Sequence, residues 1–285
     1  MQSQKYSFKP KYAQRRRFYS VWCFDQMRGM IIAMKNMILE KLKTAKGKVG
    51  FYYKNLVTCE EICFNENDAF LAASVIKLPI LAEIFRQSAL KSADMSEIIT
   101  VKNSEKMPSC GALTLFTGEP TVDIRTLCNL MIALSDNTAT NVLMKHFNID
   151  KLNSGFREIG LEKTKINRLL FDEEAQEQGK ENVFVPREIG CLLEQIYHKT
   201  FVNEQVSTEI EKILLDQQIN HKIPGKLPDD IRVAHKTGED DGITNDVGIV
   251  YADEPFIIVF ASNDTDVLEF EQIIREISYQ CCKLS

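Results

Sequence analysis

Apolar residues fall at helical spacing along one stretch after another, separated by a few runs in which they alternate or cluster. The first regular stretch, N-M-I-L-E-K-L-K-T-A at 36–45, predicts a short amphipathic helix that ends near Gly47. K-V-G-F-Y-Y-K-N-L at 48–56 and E-I-C-F-N-E at 61–66 carry the aromatic and β-branched content of a hairpin. A polar break, N-E-N-D at 65–68, then gives way to A-A-S-V-I-K-L-P-I-L-A-E-I-F at 72–85, where a helix should start at about Ser74. Pro79 removes one hydrogen bond from that helix and is expected to bend it.

The middle of the chain reads as mainly helical. V-D-I-R-T-L-C-N-L-M-I-A-L-S at 122–135 and P-R-E-I-G-C-L-L-E-Q-I-Y at 186–197 both place apolar residues on one helical face. Beyond residue 231 the character changes. R-V-A-H-K-T-G at 232–238, N-D-V-G-I-V-Y-A-D at 245–253 and P-F-I-I-V-F-A-S-N-D at 255–264 predict three consecutive strands. A closing helix, L-E-F-E-Q-I-I-R-E-I-S-Y, follows them. Strands from both ends of the chain around a helical insert predict an α+β fold: one sheet flanked by the terminal helices, plus a mainly helical lobe over roughly 75–228.

Composition narrows the function. Among 285 residues, 44% are hydrophobic and 26% charged, which excludes wholesale disorder and a membrane-embedded bundle. A net charge of -5 argues against a nucleic-acid-binding surface over the body of the protein. Residues 1–35 depart from this balance, with eight basic residues against the single acid Asp25. They read as a disordered basic extension ahead of a domain at 36–285, with an interaction arm or an alternative start at Met30, Met34 or Met37 as the other readings.

The eight cysteines are scattered, without C-x-x-C spacing. Cys59 and Cys63 come nearest to a metal pair, but no second pair follows, so neither a metal nor an organic cofactor is expected. Irregular cysteines fit a reducing compartment. Arg15, Arg16 and Arg17 precede an apolar run that Asp25 and Arg28 interrupt, and no small-residue cleavage site closes it. No stretch reaches the length of a spanning helix, so a cytoplasmic protein without membrane contact is expected.

The candidate chemistry begins at Ser74 and Lys77. Residues three apart share a helix face, so both side chains point into the same space. Taken alone the pair reads as a helix-start serine followed by a snorkelling lysine. Two further motifs change that: Ser135-Asp136-Asn137 at the end of an apolar helix, and Lys236-Thr237-Gly238 on a strand. S-x-x-K, S-D-N and K-T-G in this order make up the motif set of class A β-lactamases and penicillin-binding proteins. L-M-I-A-L-S-D-N-T-A-T-N at 130–141, F-R-E-I-G-L-E-K-T-K-I-N-R at 156–168 and the order of the terminal strands extend the likeness. Residues 36–285 thus resemble the class A β-lactamase family and its serine-hydrolase relatives.

The chemistry accounts for the residue types. A serine hydroxyl is a weak nucleophile until a base takes its proton. Lys77 can be that base only when neutral, and a second ammonium, Lys236, facing the same cleft disfavours double protonation. The resemblance implies the remaining roles. Ser135 relays a proton towards the leaving group, Asn137 bonds the substrate amide, and Lys236, Thr237 and Gly238 form the strand that receives the substrate carboxylate. Backbone N–H groups of Ser74 and Glu239 would hold the oxyanion. The implied substrate is a small amide or ester, a β-lactam among them, and the implied sheet is antiparallel.

The likeness has gaps. The family clears its acyl-enzyme with a glutamate two residues after an arginine; Arg168 is present, but Leu170 stands at the base position. Asp172, Glu173 and Glu174 follow closely, and a small shift could deliver one of them. Glu239, Asp240 and Asp241 set negative charge beside the K-T-G, and Asn245 stands where the family often has a carboxylate-binding arginine. Two alternatives therefore remain: a penicillin-binding or D-alanyl-peptidase-like protein that deacylates slowly, and a non-catalytic binding protein that keeps the fold. His146, His198, His221 and His235 lie outside the motifs, and His235 should face away from Lys236 on its strand. A Ser-His-Asp triad lacks its G-x-S-x-G elbow.

Overall fold

The computed structural model of the protein describes residues 21–284; residues 1–20 of the basic extension lie outside them. Helix α1 (Val21–Thr44) leads into the hairpin β1 (Lys48–Asn55) and β2 (Glu61–Phe64), then the short β3 (Phe70–Leu71). Helix α2 (Lys77–Ala89) opens the lobe and is followed by β4 (Ile98–Thr100), β5 (Thr121–Asp123), α3 (Ile124–Ala133), α4 (Asn137–Phe147) and α5 (Ile149–Glu158). Next come α6 (Glu173–Glu177), β6 (Val183–Phe184), α7 (Pro186–Tyr197) and α8 (Glu204–Leu215). The chain ends with β7 (Val233–Asp240), β8 (Ile243–Val250), β9 (Phe256–Asn263) and α9 (Val267–Leu284).

Five strands form one sheet in the order β2-β1-β9-β8-β7, and each neighbouring pair is antiparallel. Central β9 explains its own continuous apolar run. Phe256, Ile258 and Phe260 point to one face, where α1 and α9 bring Met34, Ile38, Leu42, Phe270 and Ile274. Ile257, Val259 and Ala261 point to the other, into the core shared with the helical lobe. A strand covered on both faces has no polar positions to alternate. Strand β1 repeats the division, with Phe51 and Tyr53 towards the terminal helices and Tyr52 towards the lobe.

The differences from the sequence reading are local. Helix α1 runs unbroken through residue 36, where the sequence pattern had suggested a short helix beginning. Ser74 does not begin an α-helix; it sits in a single 3₁₀ turn, Ala73–Ile76, ahead of α2. Pro79 lies in the first turn of α2, where a missing N–H costs no helical bond, which removes the reason to expect a bend. The stretch at 122–135 opens with a strand, and Asp123 caps α3 by accepting from the N–H of Thr126 at 2.7 Å. The two-stranded pairs β3–β6 and β4–β5 are too short to leave a sequence period.

The contact between α9 and the sheet is testable through Phe270, which is fully buried with its ring centroid 6.4 Å from that of Phe260. Phe270→Ala is expected to cost about 3–5 kcal/mol. A urea denaturation curve checks this: the midpoint should fall while the slope stays unchanged.

Candidate active site

Ser74 sits where three segments meet. Ala73 before it has a φ of +42°, in the left-handed region, so the chain turns sharply into the 3₁₀ turn. Strand β7 lies directly against this turn. A Cβ on Gly238 would stand 2.9 Å from the Ala72 carbonyl and 3.2 Å from the Ser74 nitrogen, so only glycine permits the approach. Asn245 ties the same segment to the sheet: Nδ2 donates to the Leu71 carbonyl at 3.0 Å, and Oδ1 accepts from the Ser262 N–H at 2.8 Å. The Asn245 amide is thus fully used in fixing the backbone under the serine, and the side chain is buried away from the cleft.

Ser74 opens onto a cleft of about 610 Å³ lined also by Ser135, Asn137, Thr237 and Glu239. Below it Lys77 is completely buried. Its ammonium donates to the Ser135 carbonyl at 2.7 Å, to Ser135 Oγ at 3.0 Å and to Asn137 Oδ1 at 2.8 Å. Lys236, equally buried, donates to the same Ser135 Oγ at 3.1 Å and to the Thr237 carbonyl at 2.8 Å. One hydroxyl therefore lies between two lysines. Ser135 reaches that place with a φ of +53°. Asp136 fixes this conformation. It caps α4 through the Ala139 N–H at 2.9 Å and accepts from the N–H groups of Ala112 and Leu113 at 2.7 and 2.9 Å.

Burial decides the charge state of this group. It pushes the Lys77 pKa well below the ordinary lysine value, and the charge of Lys236 pushes it further. Lys236 is brought down to about 7, again chiefly by burial, with Lys222 adding to the fall and Asp246 and Glu239 opposing it. The sequence argument relied on repulsion between two ammonium groups; desolvation is the larger cause.

The Leu170 side of the cleft is different. Asn141 holds the Leu170 backbone by two bonds of 2.9 Å, from Nδ2 to the Leu170 carbonyl and from the Leu170 N–H to Oδ1. Leu170 and Phe171 line the cleft. Asp172 instead caps α6 through the Ala175 N–H, while Glu173 and Glu174 are exposed, and none of the three lines the cleft. The residue of α6 that does line the cleft is Gln176, so these three acids are not the ones turned towards Ser74. The carboxylate that does line the cleft in this region is Glu181, and it is engaged by Arg168 at 2.8 and 3.0 Å.

On the opposite rim Glu239, Asp240 and Asp241 line the cleft as expected. Lys222 was not foreseen. It is buried, donates to the carbonyls of Gly238 and Asn245 at 3.1 and 3.2 Å, and stands 3.1 Å from the Glu239 carboxylate. A lysine in the loop N-H-K-I-P offers no sequence signal for such a position. His235 faces away from the site, with Nδ1 2.9 Å from Asp246. Cys63 meets Arg187 at 3.3 Å, and Cys59, Cys63, Cys110, Cys128, Cys191, Cys281 and Cys282 are free thiols. Among the described residues no helix is long and apolar enough to cross a membrane.

An antiparallel sheet between terminal helices and a helical lobe, with a serine over two buried lysines at their junction, defines a serine hydrolase. The chain belongs to the β-lactamase enzyme family, whose model matches residues 33–284. β-Lactamase ROB-1 of Haemophilus influenzae is 23% identical over 233 residues, covering 79% of this chain and 74% of that one. β-Lactamase VEB-1 of Pseudomonas aeruginosa is 25% identical over 284 residues, 92% of each. Among solved structures, PBP-A superposes with a TM-score of 0.80 at 24% identity, over 88% of this chain and 95% of that one. The TLA-1 extended-spectrum β-lactamase gives 0.78 at 22%, over 89% and 98%.

The lysine pair carries a stability signature. Folding lowers both pKa values, so above the folded value of Lys236, about 7, and up to the ordinary lysine value the unfolded chain binds more protons, and stability rises with pH. Cys128 and Cys281, whose thiol pKa values burial raises, act in the opposite sense from about pH 8.5 upward. Urea denaturation between about pH 7 and pH 8.5 should show wild type gaining stability and Lys236→Met gaining less. Equal slopes would contradict a buried lysine that loses its proton near neutrality.

Proposed function

We propose that Ser74 is the nucleophile of an acyl-transfer reaction on a β-lactam or a related small amide or ester, and that the acyl-enzyme is cleared slowly. Neutral Lys77 takes the proton from Ser74 Oγ as the Oγ–C bond forms. The carbonyl oxygen becomes an oxyanion between the backbone N–H groups of Ser74 and Glu239. Ser135 passes the proton from the lysine pair to the departing nitrogen, the C–N bond breaks, and the acyl group stays on Ser74. Asn137 bonds the substrate amide, and Lys236, Thr237 and Gly238 receive its carboxylate. The observation that carries this reading is Ser135 Oγ within 3.0 Å of Lys77 Nζ and 3.1 Å of Lys236 Nζ.

Slow clearing rests on Leu170. Hydrolysis of an ester in this cleft needs a base for water, and the fixed residue beside it is apolar. This favours a second reading with the same first half: a penicillin-binding or peptidase-like protein whose adduct persists. A solved leucine-to-glutamate variant of PBP-A, an acyl-enzyme complex with penicillin G, has a similar fold, at a TM-score of 0.80. The proposal includes a catalytic domain from about residue 36 and, because the described cysteines are free thiols, a reducing cytoplasmic location.

Intact mass followed over time with a penicillin and a chromogenic cephalosporin tests the reading. Wild type should accumulate an adduct that Ser74→Ala lacks. Leu170→Glu should shorten the adduct's life by about 10²-fold or more, the usual worth of a general base. An adduct on Ser74→Ala would displace the nucleophile. Absence of both adduct and colour release on wild type would refute β-lactams as substrates, and an unchanged lifetime in Leu170→Glu would refute the missing base as the cause of persistence.

A further inference from the structure

The negative rim of the cleft contains a second arrangement that the acylation chemistry does not use. His221, in the loop between α8 and β7, meets Glu239 at the end of β7 and Glu271 on α9. One ring nitrogen serves both contacts. His221 Nε2 lies 3.4 Å from Glu239 Oε1 and 3.3 Å from Glu271 Oε1, and the three ligand atoms all fall within 4.8 Å of one another. Tetrahedral zinc with bonds of about 2.0–2.1 Å requires neighbouring donors about 3.3 Å apart. Two of the three edges already have that length.

We propose that His221, Glu239 and Glu271 form a zinc site at the mouth of the cleft. One imidazole and two carboxylates are a zinc donor set, whereas magnesium and calcium favour oxygen alone. The surrounding groups orient the donors. Arg275 Nη1 lies 3.5 Å from Glu271 Oε2 and donates to the His221 carbonyl at 3.1 Å, leaving Glu271 Oε1 to face the histidine. Thr244 Oγ1 donates to that Oε1 at 3.3 Å. Lys222, 3.1 Å from Glu239 Oε1, is the cation that zinc displaces from this oxygen. Glu239 and Glu271 both line the cleft that holds Ser74, so the fourth zinc position opens towards substrate. The ion offsets the two carboxylates that bind it on a rim where Asp240 and Asp241 also stand, and gives an anionic group a partner that Asn245 does not provide.

Calorimetric titration of the metal-stripped full chain with zinc alone tests the site without any substrate, so its outcome is independent of whether Ser74 is acylated. Wild type and Ser74→Ala should bind one equivalent that excess magnesium does not displace. His221→Ala, an exposed and structurally tolerant position, and Glu271→Gln should each weaken binding at least about tenfold. With cobalt in place of zinc, a tetrahedral visible band should form in wild type and be lost in His221→Ala. Zinc bound equally by wild type and His221→Ala, as capture by the free thiols would give, overturns the proposal; so does a wild type that binds no zinc.

Discussion

The site depends on two lysines that are held without access to water. An ammonium buried with no carboxylate in contact loses much of its hydration, and the least costly response is to give up its proton. Lys77 and Lys236 are both fully buried, and each reaches acceptors that are neutral: carbonyls, an amide oxygen and one hydroxyl. Such partners hold a charged or a neutral amine in the same place, so the group can lose and regain a proton without rearranging. A carboxylate in the position of Ser135 would have fixed the charge and ended its use as a base.

That burial is produced by the architecture around it. The serine's turn is fixed by the close approach of β7, which Gly238 permits, and by Asn245 reaching across from β8. The left-handed Ser135 is fixed by Asp136, whose buried carboxylate spends its acceptors on three backbone N–H groups. Both strained residues, Ala73 and Ser135, border the cleft. Strain of this kind persists only where the surroundings over-determine it, and here a double-sided sheet core and a capped helix do so.

The sequence made the fold legible wherever one face or both faces of an element had to be apolar. β1, β7, β8, β9 and α9 fall close to their expected limits because their hydrophobic pattern is what buries them. It failed where a few residues act by geometry. Nothing in the local sequence marks the 3₁₀ turn at Ser74, the two-residue strands or the entry of Lys222 beneath β7. The motif residues Ser74, Lys77, Ser135, Asn137, Lys236, Thr237 and Gly238 converge at one cleft, and their order and helix-loop-strand context were readable in advance. The acids Asp172, Glu173 and Glu174 were plausible by proximity in the chain, yet on α6 it is Gln176 that lines the cleft. Proximity along a loop says little about direction, and direction is what a base requires.

The two halves of the proposed reaction are therefore supported unequally by the protein. On the acylation side the hydroxyl, the proton carriers and the carbonyl-facing backbone are held by buried partners. On the clearing side Asn141 spends both ends of its amide to hold a leucine, and the nearby Glu181 is committed to Arg168. Those bonds keep the segment in position as firmly as a glutamate there would need, so the loss of the base is not a loss of order. On the proposed reading, a cleft that keeps its shape without a group to activate water is suited to making an acyl-enzyme and shielding it. The negative rim, in the same reading, bears on which anionic group can approach, and a cation bound there would offset part of its charge.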